Sequence, residues 1–282
     1  MTRIFQRPIK RIVVKLGSSQ IADSRMQPKK AELISLALQI RELRNKGIDV
    51  VLVSSGAIAL GMGELGESKR LTDLPFLQAR AAIGQASLMR LYSDLLDKVG
   101  LKCAQVLLSW DDFDNRARFV NARSTLEAIL KQGVVPIINE NDTTSTEEIK
   151  FGDNDKLSAL VASLLHADLL VILSDVDGLY DANKKVFEEV GEITPEIMAV
   201  SGGTLNVNMA RGGMKTKIEA VKIATRARVS CIITGGHIKD VLTQVVAGGK
   251  IGTFFIEKKD KLLDGDSEHE FIRSHFKNSK GG

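Results

Sequence analysis

The stretch RIVVKLGSS, residues 11–19, is the segment of the sequence that decides the fold. Residues 12–14 and 16 are apolar, without the strict alternation of polar and apolar residues that marks a strand with one face in water. A strand of this kind is buried on both faces, as happens when helices cover both sides of a parallel sheet. The glycine and two serines that follow are typical of a turn at the end of such a strand.

Apolar runs of the same kind alternate with helical periodicity along the rest of the chain. Leu33, Leu36, Ala37 and Ile40, for example, recur at the spacing of one buried helix face. The further predicted strands cover residues 48–55, 101–109, 134–139, 168–174 and 229–234, and the predicted helices lie near 28–46, 75–98, 115–131, 154–166 and 213–227. This order predicts an α/β fold, a three-layer α-β-α sandwich with a mainly parallel central sheet.

Composition and charge exclude several classes of protein. The 282 residues are 44% hydrophobic and 26% charged, which is ordinary for a globular protein. No stretch reaches about 18 uncharged apolar residues, so we expect no membrane span. The apolar part of the basic N-terminus is too short and too charged for a signal peptide, which predicts a cytoplasmic protein. The net charge of +4 is spread along the chain without an aromatic-interleaved basic patch, so we expect no nucleic-acid partner.

Cysteine and histidine offer little support for metal or hydrolase chemistry. Cys103 and Cys231 each lie in an apolar run, and we interpret both as buried core thiols whose spacing supports neither a disulfide nor a metal site. The four histidines lie outside the polar clusters at the predicted strand ends; they are His166, His237, His269 and His275. A hydrolase triad or a zinc site is therefore hard to build, and no protein ligand for a metal is predicted.

The carboxyl ends of the predicted strands are where a ligand is expected, because open parallel sheets bind ligands there. These positions share glycines, hydroxyl groups, lysines and carboxylates. They comprise Lys15 with Gly17-Ser18-Ser19, Ser54-Ser55-Gly56-Ala57, Glu140-Asn141-Asp142-Thr143, Ser174-Asp175-Val176-Asp177-Gly178, and the 210–217 segment ahead of a later helix. Each glycine-rich turn alone is often structural, but together with the lysines they indicate a site for phosphate.

Two familiar nucleotide-binding signatures do not account for this phosphate site. No segment matches the Walker A pattern. GMGELG, residues 61–66, matches the dinucleotide pattern GxGxxG, but it lies in a predicted loop several residues beyond the strand. No acidic residue follows at the place where a ribose would be bound, so we interpret the match as coincidence and a dehydrogenase as the weaker alternative.

The combination of lysine, aspartate and glycine loops suits phosphoryl transfer to a carboxylate. A carboxylate nucleophile is already ionised at pH 7 because its pKa is about 4.3, so it requires no general base. Its difficulty is the approach of one anion to another, which lysines and a divalent cation relieve by neutralising charge.

The stretch INENDTTSTEEIKFGDNDKLS, residues 138–158, carries two Asn-Asp pairs beside apolar segments. Asp142 can pair the ammonium group of an amino acid, and Asn154 with backbone N–H groups can hold a carboxylate without adding charge. Asp155 can orient lysines or bind a metal. Capping of the helix that follows explains either Asn154 or Asp155 singly, but explains two pairs on neighbouring loops less well.

Several of these motifs, in this order, resemble the amino acid kinase superfamily, and within it the glutamate 5-kinase family. The matching segments are VVKLGSS, VSSGAIALG, INENDT, GDNDKLSAL, SDVDGLY and GGMKTK, across about residues 9–256. INEND followed by GDND is the specific element, whereas SDVDGLY is shared with acetylglutamate kinases and aspartokinases. The resemblance implies ATP- and Mg²⁺-dependent phosphorylation of the γ-carboxylate of L-glutamate to γ-glutamyl phosphate, the first step of proline biosynthesis.

Carried over residue by residue, the resemblance implies three groups of site residues. Lys15 and Lys217 would stabilise the transferring phosphoryl group, with Asp155 orienting them. The glutamate-binding residues would be Ser55, Gly56, Ala57, Asp142 and Asn154. The ATP-binding residues would be Lys15, Ser174, Asp175, Arg211, Gly212, Gly213, Met214, Lys215, Thr216 and Lys217.

The resemblance also implies a domain organisation and partners. Residues 1–256 would form the kinase domain, and residues 257–282 a short charged tail in place of the C-terminal RNA-modifying-type domain that many members carry. Arg211 stands where a threonine-glycine-glycine pattern is more usual, which puts the nucleotide contacts there in question. We expect proline as a feedback inhibitor and a homo-oligomer, either dimer or tetramer.

Two alternative functions stay open at this stage. One is a kinase of the same fold that acts on a different carboxylate or on a phosphate. The other is a non-catalytic sensor that binds ATP or an amino acid, which the presence of Lys15, Lys217 and Asp155 argues against.

Overall fold

The computed structural model describes residues 2–67, 73–144, 154–202, 213–258 and 269–270, and for residues 199–202 it describes the backbone only. Its strands are β1 (Arg11–Leu16), β2 (Asp49–Ser54), β3 (Cys103–Leu108), β4 (Val135–Glu140), β5 (Leu169–Ser174), β6 (Glu189–Val190), β7 (Ser230–Gly235) and β8 (Thr253–Phe255). Its helices are α1 (Ser18–Ile21), α2 (Lys30–Asn45), α3 (Ala57–Glu64), α4 (Leu74–Lys98), α5 (Asp111–Asp114), α6 (Arg116–Lys131), α7 (Asn154–Leu164), α8 (Pro195–Gly202), α9 (Met214–Arg226) and α10 (Val241–Val246).

The strands form one eight-stranded sheet in the order β3-β4-β2-β1-β5-β7-β8-β6. Neighbours pair in parallel except β7 and β8, which are antiparallel. In the centre, Val13 of β1 is level with Val51 of β2 and Leu170 of β5. The predicted three-layer, mainly parallel α/β fold is confirmed.

Alternate residues of the central strands enter two separate hydrophobic cores. Val13 packs with α6, α7 and α9 on one face of the sheet. Ile12 and Val14 pack with α2, α4 and α10 on the other. Because both faces are covered, the strands are apolar at successive positions, which explains the pattern of the 11–16 stretch.

The strand order makes the carboxyl end of β1 the place where a ligand site is expected. The parallel neighbours of β1 are β2 on one side and β5 on the other. The connection that follows β1 leads to β2, whereas the connection that follows β4 leads to β5 on the opposite side. At such a point in an open sheet the connections diverge and leave room for a ligand. The turns after β1, β2, β4 and β5 therefore define the region where the predicted site residues lie.

The loop predicted at residues 61–66 was wrong. Gly61 and Gly63 lie inside α3 and not in a loop. A Cβ atom on Gly61 would lie 2.0 Å from the carbonyl oxygen of Arg80, and one on Gly84 would lie 1.8 Å from that of Ala57. The glycines let α3 and α4 approach closely, so they serve helix packing, in agreement with the interpretation of the GxGxxG match as coincidence.

The predicted tail lies mostly outside the described residues, as do Phe271, Ile272 and Phe276, which were considered as docking residues. Within it, His269 is buried, with its ring centroid 5.2 Å from that of Phe119 in α6. None of the helices in the described part of the chain is long and apolar enough to cross a membrane.

Candidate active site

Three charged side chains meet inside the protein at the carboxyl edge of the sheet. The ammonium group of Lys15 contacts Oδ1 of Asp155, and Lys217 Nζ lies 3.1 Å from Asp155 Oδ2. The two lysines are only 4% and 7% exposed, and Asp155 is fully buried. The structure thus brings together the three residues that the resemblance assigns to catalysis.

Each member of this triad comes from a different element. Lys15 precedes the last residue of β1, Asp155 lies in the first turn of α7, and Lys217 in the first turn of α9. A half-exposed ion pair between Lys156 and Glu219, 2.7 Å, also joins α7 to α9. The central strand and two packed helices therefore hold the triad on rigid elements, which suits a site that must be preorganised.

The triad carries one net positive charge, since two ammonium groups share one carboxylate. Opposite charges attract more strongly where water is excluded, so Asp155 holds both lysines in place. A net positive charge at this place attracts anions. Gly17 lies beside this charge, because a Cβ atom there would be 3.9 Å from Lys15 Nζ.

A second cluster is centred on the amide of Asn154, which is 5% exposed. Asn154 Nδ2 lies 3.2 Å from the carbonyl oxygen of Ser54, 3.0 Å from Ser55 Oγ and 2.8 Å from Asn139 Oδ1. The ends of β2 and β4 are thereby tied to the start of α7, next to Asp155. Of the predicted glutamate-binding residues, Ser55 and Asn154 are therefore in direct contact.

Gly56 and Ala57 form the N-terminal end of α3. Gly56 is left-handed, with φ +105°, and a Cβ atom there would lie 2.8 Å from the side chain of Ile21. Only glycine suits both constraints. No side chain caps this helix, so its first N–H groups can bind a carboxylate.

Asp142 lies just beyond β4, three residues after Asn139. It is half-buried, and burial raises the pKa of its carboxyl group to about 6. A carboxylate that has lost water in this way gains most from a cationic partner, because the partner replaces the lost hydration. The residue is thus suited to hold an ammonium group.

The predicted ATP-binding residues lie on the other side of β1. Ser174 is buried at the end of β5 and its hydroxyl group is 3.0 Å from Oδ1 of the exposed Asp175. Gly213 precedes α9, and no side chain caps that helix. Met214, Lys215 and Thr216 are in the first turn, and Thr216 Oγ1 donates to the Gly213 carbonyl oxygen at 2.8 Å. Arg211 and Gly212 lie outside the described residues.

Sequence reasoning missed several polar residues that the fold brings to this edge. Asn139, at a position read as part of an apolar strand, contacts Asn154, and Gln85 of α4 contacts Asn139. Gly235 ends β7 and Gly236 follows it, and Nε2 of His237, the next residue, lies 3.2 Å from Asp177 Oδ1. Polarity inside an apolar run was the available signal for Asn139, whereas nothing local marks Gln85.

The described residues contain no group of three or more histidine, cysteine, aspartate or glutamate side chains arranged to hold a metal ion. Both cysteines are free thiols. Cys231 is buried as predicted, and burial, followed by the charge of Asp155, raises the pKa of its thiol. The prediction of burial was wrong for Cys103, which is only half-buried because it lies on the edge strand β3.

The sequence of this chain matches the amino acid kinase family over residues 10–235. The chain belongs to the amino acid kinase family. It is 43% identical over 270 residues to a glutamate 5-kinase of Methanosarcina barkeri, which covers 90% of this chain and 70% of the relative. It is 49% identical over 255 residues to a glutamate 5-kinase of Syntrophotalea carbinolica, covering 88% and 68%.

The amino acid kinase fold is also found by structural comparison. A carbamate kinase from Giardia lamblia bound to AMP-PNP superimposes with a TM-score of 0.60 at 19% sequence identity. The match covers 88% of this chain and 99% of that one. At this identity the likeness concerns the arrangement of sheet and helices.

Proposed function

We propose that this chain is a glutamate 5-kinase, which transfers the γ-phosphoryl group of ATP to the γ-carboxylate of L-glutamate. The products are ADP and γ-glutamyl phosphate, the first step of proline biosynthesis. The observation that carries the proposal is the buried contact of Lys15 and Lys217 with Asp155. The relatives named glutamate 5-kinase, at 43% and 49% identity over most of the chain, support the choice of acceptor.

The two lysines answer the electrostatic difficulty of the reaction. Charge spreads over the transferring phosphoryl oxygens in the transition state, and preorganised positive groups there lower the barrier. Asp155 holds Lys15 and Lys217 in place before the substrate arrives, so little reorganisation is needed. The carboxylate acceptor is ionised at neutral pH, which agrees with a site whose described centre contains lysines and an aspartate but no histidine.

The glutamate pocket is assigned to the turns after β2 and β4. The first N–H groups of α3 and the hydroxyl group of Ser55 are donors for a carboxylate. Asp142, whose carboxyl pKa is raised to about 6 by burial, is the partner for the α-ammonium group. Asn154 supplies a further polar contact from the start of α7. Its hydrogen bonds to Ser54 on β2 and to Asn139 on β4 keep the pocket next to Asp155.

ATP is assigned to the ends of β5 and the start of α9. The uncapped N-terminus of α9 supplies backbone N–H groups for phosphate, and Lys217 projects from the same turn. Ser174 and Asp175 lie at the end of β5, and the segment 211–217 contributes through its described part, Gly213 to Lys217. Magnesium suits this donor set as a companion of the nucleotide, since Mg²⁺ is commonly held largely by substrate phosphates and water. When bound, it neutralises phosphate charge.

Three finer properties belong to the same proposal. Proline is expected to inhibit by occupying the region of the glutamate pocket, because it shares an ammonium and a carboxylate group with glutamate. The chain is expected to form a homo-oligomer, dimer or tetramer, and to act in the cytoplasm. Kinetics with added proline and sedimentation of the purified protein test the first two.

The direct test is a hydroxylamine trap for acyl phosphate, run with Mg-ATP and with ADP measured in parallel. Glutamate, N-acetylglutamate and aspartate are offered separately. The proposal predicts hydroxamate from glutamate and none at comparable rate from the other two. Hydroxamate from N-acetylglutamate or aspartate alone would move the substrate, and ADP without hydroxamate from any of them would contradict phosphorylation of a carboxylate.

A further inference from the structure

The orientation of the Asn154 side-chain amide is fixed by groups whose hydrogen-bonding sense is known. The atom facing the Ser54 carbonyl oxygen at 3.2 Å must be the donor Nδ2, because a carbonyl oxygen only accepts. Asn139 is fixed in the same way, since its Oδ1 accepts from the backbone N–H of Glu140 at 2.9 Å. Asn139 Oδ1 is therefore also the acceptor for Asn154 Nδ2, at 2.8 Å.

The hydrogen bonds continue outward from Asn139 in one direction. Asn139 Nδ2 donates to Gln85 Oε1 at 2.9 Å, and Gln85 Nε2 donates to Gln105 Oε1 at 3.1 Å. The chain runs from the buried Asn154 and Asn139 through the half-buried Gln85 to the exposed Gln105 on β3. Reversing any inner amide would place two donors or two acceptors against each other, so the chain locks the direction of Asn154.

These hydrogen bonds engage the Asn154 side-chain nitrogen but not its side-chain oxygen. Its Oδ1 is buried and has no hydrogen-bond partner in the part of the chain that the structure describes. A buried acceptor without a partner is costly, and each one in a native structure requires an explanation, which a bound ligand with a hydrogen-bond donor would supply. Asn154 Nδ2, by contrast, already faces three acceptors for its two hydrogens.

We infer that Gln85 and Asn139 are positioning residues that hold Asn154 with Oδ1 toward the amino acid, where it accepts a hydrogen bond from the substrate's ammonium group. The inference rests on the proposed function and specifies how the same site selects its substrate. It reverses the sequence-based idea that Asn154 donates to a carboxylate, because its N–H groups are engaged by the protein. The Ser55 hydroxyl group, which accepts from Asn154, keeps its own proton to donate to the carboxylate.

The inference predicts that the site favours glutamate over glutarate, which has both carboxylates but no ammonium group. Glutarate leaves Asn154 Oδ1 without a donor. If Gln85 is replaced by leucine, Asn139 Nδ2 loses its acceptor, and Asn139 then holds the Asn154 amide less tightly in the position that presents Oδ1 to the ammonium group. We expect Gln85→Leu to reduce the preference for glutamate over glutarate in kcat/KM by about tenfold, the size of one hydrogen bond to a charged group.

The test measures kcat/KM for glutamate and glutarate, and KM for ATP, in four proteins: the unmodified chain, Gln85→Leu, Gln85→Glu and Gln39→Leu. Gln85→Glu is the conservative variant, because its carboxylate still accepts from Asn139 Nδ2, and it is expected to retain the preference to within about threefold. Gln39→Leu removes another helical glutamine, whose hydrogen bonds in the described part of the chain go to Leu242 and Ser35 and not to the pocket residues. It is expected to lower Tm and leave the preference unchanged.

The outcomes separate the inference from the proposed function. A loss of preference in Gln85→Leu alone, with KM for ATP unchanged, supports the inference. An unchanged preference in Gln85→Leu, or equal losses for both acceptors, overturns it while leaving the kinase proposal intact. If the unmodified chain turns over neither acceptor and isothermal titration detects no glutamate binding, the proposed function and the inference both fail.

Discussion

Lys217 of α9 reaches Asp155 of α7 across the packed helices, with Nζ 3.1 Å from Oδ2 and both side chains buried. The same carboxylate holds Lys15 of β1 through its other oxygen. One buried anion thus organises two cations from elements far apart in sequence. Loss of a lysine and loss of the aspartate should therefore affect turnover and the free energy of unfolding differently, and both quantities can be measured.

Lys217→Ala should abolish turnover while the fold stays intact. The variant leaves Lys15 and Asp155 as a neutral pair, so the free energy of unfolding should change by no more than about 2 kcal/mol. Loss of one preorganised charge at the phosphoryl group should lower kcat by about 10³-fold or more. Lys222→Ala, on the same helix, is the control; a Lys217→Ala enzyme with unchanged turnover would remove Lys217 from catalysis.

Asp155→Asn should damage stability as well as activity. The variant removes the carboxylate that both buried ammonium groups contact, and breaking a buried ion pair by removing one partner costs about 3–5 kcal/mol. Urea unfolding measures the loss. Glu219→Gln removes the partly exposed pair with Lys156 between the same two helices and should cost less than about 1 kcal/mol. Equal losses in the two variants would show that the burial of Asp155 has no special role.

The affinity for glutamate should fall as the pH is lowered through about 6. Burial raises the pKa of Asp142 to about 6, and only the ionised carboxylate attracts an ammonium group. The ionised form, and with it binding, is present above that pH and lost below it; bound glutamate shifts the loss to lower pH because its charge favours the carboxylate. The profile of kcat/KM for glutamate should therefore show this step and that of kcat should fall only at lower pH.

Asp142→Ala supplies the matching variant. It should raise KM for glutamate far more than KM for ATP and should remove the step near pH 6 from the kcat/KM profile. Comparable changes in both KM values, or a step that persists in Asp142→Ala, would take Asp142 out of the glutamate pocket.

Gly56→Ala should weaken glutamate binding and destabilise the protein by about 1–3 kcal/mol, because the new Cβ atom meets Ile21 at 2.8 Å and the backbone is left-handed. Thermal unfolding and KM for glutamate measure the two effects. The double variant Gly56→Ala with Ile21→Gly removes the Ile21 side-chain atoms that the new Cβ atom would meet, Cβ included, but not the φ strain, and should recover only part of the binding defect. Full recovery of the KM would assign the effect to the collision alone.

Much of the framework could be predicted from the sequence because burial leaves a local mark. Strands covered on both faces are continuous apolar runs, and the observed β1 agrees with the predicted strand at 11–16. Parallel pairing then brings the strand ends to one edge, which is why Lys15 and Asp155 could be expected near each other. The resemblance to a known family, and not periodicity, supplied the pairing of Lys217 with them.

The remaining features depend on contacts that no local pattern records. Helix α3 contains two glycines, which ordinarily disfavour a helix, and it forms because Gly61 packs against α4. Strand β8 has three residues and pairs with β7 in the opposite direction, so it left no periodic signal. The direction of the Asn154 amide is set by the Ser54 carbonyl oxygen and by Asn139, which come from two other elements.

The most direct measurement of the central claim follows the oxygen of the acceptor. Glutamate labelled with ¹⁸O in its γ-carboxylate is turned over with Mg-ATP in hydroxylamine, and the released phosphate is analysed by mass spectrometry. If the γ-carboxylate attacks the γ-phosphorus beside Lys15 and Lys217, the bridging oxygen comes from glutamate. Hydroxylamine attacks the acyl carbon, so each phosphate released should carry one ¹⁸O atom. Phosphate without ¹⁸O, produced while ADP accumulates, would show transfer to water and contradict the account.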